Sequence, residues 1–65
     1  MRFTFSVHRQ GKEDWHGPFV EPDLLACKMT AARFARTLLT DYPLRVCLAV
    51  EGEDMEEFHV YPEAS

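Results

Sequence analysis

The sequence predicts an α+β fold of order β-α-β-β, with one long helix packed on a three-stranded sheet. Three observations predict it. Residues 2–8 alternate polar and apolar, residues 23–41 carry apolar side chains at steps of three and four, and residues 44–61 return to strand-like patterns around a glycine-containing turn. A chain of 65 residues has room for one such pair of layers, and therefore for a single domain spanning 1–65.

In the first segment, Phe3, Phe5 and Val7 share one face and are expected in the core. Gln10-Gly11-Lys12 breaks the alternation. Gly17-Pro18 and Glu21-Pro22 then mark a connector of about a dozen residues. Trp15, Phe19 and Val20 give it apolar anchors and allow a short extra strand near 15–20, which Pro18 confines to a sheet edge. Pro22 and Asp23 suit a helix entry: proline fits the first turn, and the aspartate accepts from free backbone amides. The expected helix covers 23–41. Leu24, Cys27, Ala31, Phe34, Ala35, Leu38 and Tyr42 form its apolar stripe, Leu25, Ala32 and Leu39 widen it, and Lys28, Arg33 and Arg36 lie outside. Pro43 is expected to end it.

Residues 44–50 place Leu44, Val46, Leu48 and Val50 on the face under the helix and Arg45, Cys47 and Ala49 on the other. Glu51-Gly52-Glu53-Asp54 turns the chain, and Met55 to Tyr61 returns with Phe58 and Val60 inward. A right-handed crossover is expected to make the first two strands parallel, with the last strand antiparallel either beside 44–50 or between the two; its acidic character favours an edge, with 44–50 at the centre.

Hydrophobic residues make up 46% of the chain and aromatics 12%, which excludes disorder. No apolar run approaches the roughly 20 residues of a membrane span, and no leader-like segment precedes the first strand, so a soluble protein of the cytoplasm is expected. Cys27 and Cys47 are too few for a disulfide framework, and strand parity points them apart. His8, His16 and His59 lack the spacing of metal ligands, so neither metal nor cofactor is expected. Ser6 and the thiols have no recognisable base or elbow beside them, and no enzyme activity is expected. Phe3, Phe5, Trp15, Phe19 and Phe34 invite comparison with a base-stacking platform, but core packing accounts for Phe3, Phe5 and Phe34, and the basic surround is thin.

Charge placement is more informative. Residues 1–40 carry six basic and four acidic side chains, whereas residues 41–65 carry one basic and seven acidic. Five carboxylates, Glu51, Glu53, Asp54, Glu56 and Glu57, fall within seven residues. A solvated hairpin rim is one reading. In the other, carboxylates about 6.6 Å apart along one strand face present a row of negative charge like a phosphate backbone. Asp41, Glu63, Glu13 and Asp14 would extend it. Such a surface repels nucleic acid and anionic membranes and attracts a basic protein cleft.

The spacing Phe3-x-Phe5-x-Val7, Gly11, Asp14-x-x-Gly17 and Asp23-Leu24-x-Ala26 resembles a family of small proteobacterial β-α-β-β domains of unknown function. That resemblance implies a fold and no catalytic residue. In size, acidity and compact α/β build the chain also resembles small phage-encoded anti-CRISPR proteins, in particular type I-C inhibitors. This second resemblance implies a DNA mimic in a bacterial host cell, occluding the DNA-binding groove of a CRISPR surveillance complex, with Glu51, Glu53, Asp54, Glu56 and Glu57 as contacts. The alternative is a regulatory or antitoxin-like module that dimerises through its sheet face. The first reading favours a monomer.

Overall fold

The computed structural model describes residues 1–38 and 40–62. Strands β1 (Arg2–Arg9) and β2 (Lys12–Val20) precede helix α1 (Leu24–Arg36), and β3 (Leu44–Val50) and β4 (Glu56–Val60) follow it. The sheet has four strands in the order β2-β1-β3-β4, and each neighbouring pair is antiparallel. One helix on an antiparallel sheet is the α+β class expected, with a strand more than the three.

The added strand replaces the expected connector. Arg9 pairs with Lys12 across a two-residue turn in which Gln10 (φ 50°) and Gly11 (φ 78°) both have positive φ, the geometry of a tight primed hairpin. β2 therefore starts earlier than the expected strand near 15–20 and lies, as Pro18 requires, at an edge. Its pairing with β1 shifts register between Phe3 and Phe5. Gly17 sits at this irregularity with φ 119°, where a Cβ would lie 3.0 Å from the Phe3 carbonyl oxygen, so only glycine fits without movement.

The hairpin also corrects the strand directions. β2 returns the chain to the end where β1 began, α1 carries it back across the sheet, and β3 then starts beside His8. β1 and β3 thus run antiparallel, with Phe3 opposite Val50 and His8 opposite Arg45, instead of parallel through a crossover. β3 is central and β4 is an edge, as expected.

Asp23 caps α1, accepting from the Ala26 amide through Oδ1 at 2.8 Å. The helix ends at Arg36, well before the expected 41. There the Thr37 hydroxyl donates to the Phe34 carbonyl at 2.6 Å and the Leu38 amide to the Ala35 carbonyl, closing the last turn. Leu38 and Tyr42 still pack on the core, but from beyond the helix. Leu25 does not widen the stripe, being 66% exposed. Leu39 and Glu63 lie outside the described residues.

Small side chains of α1, Cys27, Ala31 and Ala35, meet large ones of the sheet, chiefly Phe3, Phe5, Leu44 and Leu48. That pairing lets the helix sit close to the strands, and each large side chain buried contributes about 1.5–3 kcal/mol. The turn 51–54 follows β3 as expected, and Val60 is buried with Phe58 packed beside it.

Candidate functional site

Residues 51–55 form a turn and its exit, all exposed, with Gly52 at φ 83° and the Glu53 amide donating to the Val50 carbonyl. Only Glu56 and Glu57 of the acidic cluster lie on a strand, and neighbouring strand residues face opposite ways. Glu56 turns to the helix side and pairs with Lys28 Nζ at 2.6 Å. Glu57 turns to the open face, 3.9 Å from Arg45 Nε. The expected single-faced row of five carboxylates is therefore not formed: local density in sequence became a turn plus two divergent, matched side chains.

The fold gathers a different acidic set. The Glu51 amide donates to the Arg2 carbonyl and the Glu21 amide to the Met1 carbonyl, both at 2.9 Å, so Glu21 and Glu51 flank the start of β1. Asp23, at the helix N-terminus, lies at the same end, as do Glu53 and Asp54 in the turn. Glu13 and Asp14 pair with His8 and Val7 toward the opposite end, and Asp41 shortly precedes β3 there, so these three do not extend the patch. Glu21 was missed from the sequence. The signal for it was the Gln10-Gly11 turn, which brings residue 21 back beside residue 1.

No element lies over the other face of the sheet among the described residues. Two cross-strand rows occupy it: Glu13, His8, Arg45, His59 and, next along, Trp15, Ser6, Cys47, Glu57. His8 and His59 share this face as expected but are separated by β3. Arg45 Nη2 lies 2.9 Å from His8 Nδ1, and a guanidinium can only donate, so the neutral imidazole carries its proton on Nε2. That nitrogen faces Ser6 Oγ at 3.3 Å, Cys47 Sγ at 3.5 Å and Glu13 Oε1 at 3.7 Å. Among the described residues no group of histidine, cysteine and carboxylate side chains is spaced to hold a metal ion.

Cys27 and Cys47 are both free thiols, on opposite sides of the sheet as their parity requires. Burial pushes the Cys27 thiol above its ordinary range. The aromatic rings form no outward platform. Phe5 packs against Phe19 and Phe34 on the helix side, and the His16 ring lies tilted against both Phe5 and Phe34, with centroids at 5.4 and 4.3 Å. Trp15 alone of the five aromatics considered for a platform stands on the open face, 48% exposed. Among the described residues, no helix is long and apolar enough to cross a membrane.

No family model matches the chain, no curated protein is similar enough to count as a relative, and no solved structure matches its fold.

Proposed function

We propose that the protein is a non-enzymatic binding protein that turns its acidic end into the basic, nucleic-acid-holding cleft of a partner and blocks it. One observation carries this reading: Glu21, Asp23, Glu51, Glu53 and Asp54 converge at one end of the sheet from two separate stretches of chain. A compact anionic end inserts endwise, where a row along a strand would lie lengthwise. Glu51, Glu53 and Asp54 keep their contact role, Glu21 and Asp23 join them, and Glu56 and Glu57 flank the site while held by Lys28 and Arg45. Long-range attraction sets the rate of encounter, and the few contacts made on docking set the lifetime. The resemblance to anti-CRISPR proteins supplies the partner, a type I CRISPR surveillance complex in the cytoplasm of a bacterial host.

The triple variant Glu51→Lys, Glu53→Lys, Asp54→Lys tests this reading, because all three side chains are exposed and the fold does not depend on them. A gel-shift assay with a type I-C effector complex and its target DNA is the measurement. The wild-type protein should release the DNA, and the variant should need on the order of 100-fold more protein to do so. Failure of the wild-type protein to displace DNA, or equal potency of the two, overturns the proposal.

A second reading, dimerisation through the sheet face, is favoured by Trp15, which stands exposed beside Ser6 and Cys47 on a surface that no described element covers. Sedimentation distinguishes the two. A dimer that Trp15→Glu dissociates supports this second reading, and a monomer at high concentration rejects it.

A further inference from the structure

The sheet has two outer edges, and they are not alike. β2 is broken by a register shift and carries Pro18 and the charges Lys12, Glu13 and Asp14, features that discourage a further strand. β4 has no proline within Glu56–Val60, and its two carboxylates are already matched by Lys28 and Arg45. Among the described residues, no strand lies beside its outer edge.

Along that edge runs a groove between α1 and β4. One part, about 300 Å³, has Met29, Ala32 and Phe58 as an apolar floor and Lys28, Arg33 and Arg36 as a cationic rim. A second part, about 260 Å³, adjoins it at Arg36 and continues past Val60 and Tyr61. Met29 is 51% exposed, an apolar side chain with one side unoccupied. Among the described residues, neither Arg33 nor Arg36 is in an ion pair. A strand edge, an apolar floor and a positive rim on the helix side fit one kind of guest: an extended peptide segment whose every second residue, turned to the helix side, supplies both apolar and acidic side chains. A second copy of this chain fits poorly, because pairing β4 with β4 about a two-fold axis sets the two arginine rims against each other.

We propose that the seam between α1 and β4 is a second docking site, which takes an acidic, apolar segment of a partner protein as a fifth strand beside β4. Backbone groups of the guest pair with the β4 edge, and on its helix-side face alternate residues supply apolar side chains that cover Met29 and Phe58 and carboxylates that meet Arg33 and Arg36. The site is separate from the acidic end, so either proposal can fail without the other.

The probe is a seven-residue capped peptide with glutamate, valine and glutamate at its second, fourth and sixth positions, which share one face, and threonine at the others, titrated into ¹⁵N-labelled protein and followed by amide shifts. Saturable shifts confined to β4 and to residues 28–36 are expected. Arg33→Gln with Arg36→Gln should weaken binding about tenfold, and a peptide with lysine in place of glutamate should fail to bind. The glutamine pair leaves helix propensity almost unchanged, and the lysine peptide tests the charge preference on wild-type protein. Absent shifts, shifts elsewhere, equal binding of the lysine peptide or an unaffected double variant overturns the proposal. So does a concentration-dependent dimer that covers β4.

Discussion

Alternate residues of the same strands build the two faces of the sheet, yet the faces are held by different physics. Toward α1, Phe3, Phe5 and Val7 of β1 and Leu44, Val46, Leu48 and Val50 of β3 lock against Cys27, Ala31 and Ala35. On the other side, Ser6 and Cys47 are almost as shielded, at 0% and 9% exposure, though no described element covers them. Their shielding comes from the side chains around them, among them the His8 ring, which Arg45 holds. The first face depends on shape, and change there is felt throughout the fold. The second depends on local polar contacts and tolerates change, which makes it the face on which a surface can be remodelled at little expense in stability.

Neighbouring residues of β3 give the sharpest test. Leu48→Ala should lose about 2–5 kcal/mol, a large fraction of the stability of so small a domain, measured by urea unfolding. Cys47→Ala, one residue away on the other face, should lose less than about 1 kcal/mol. A loss above about 2 kcal/mol for Cys47→Ala would break the comparison. The smaller effect is kinetic. With iodoacetamide under native conditions, Cys47 should be alkylated first and Cys27 only as the whole domain opens, because Cys27 has no exposure and burial disfavours its thiolate. Peptide mapping after a time course reads this directly, and equal rates would show that α1 lifts from the sheet far more readily than its packing implies.

Much of this contrast is legible in the sequence. The alternation in β1 and β3 assigns each side chain its face, and Asp23 marks the helix start. What was not legible has particular causes. β2 hides because an edge strand exposed along its length needs no apolar alternation, and Gln10 is not among the residues that announce a primed turn. The helix reads too long because Leu38 and Tyr42 keep the apolar period while packing from the turn beyond Thr37. The acidic stretch misleads because closeness along the chain says little about facing. Glu56 and Glu57 diverge, whereas Glu21, far away in sequence, joins Glu51 through the pairing of β1.

The placement of β1 between β2 and β3 also bears on how the chain is made. The ribosome delivers β1 before both of its neighbours; its hairpin partner follows at once, but Phe3 waits for Val50 before its second flank is paired. Until α1 and β3 are made, the nascent hairpin holds Phe3, Phe5 and Val7 bare to water with one edge open. Closure by so distant a partner is the slow kind of step. Of the four described strands, β1 is therefore the one most in need of chaperone shelter until β3 is made.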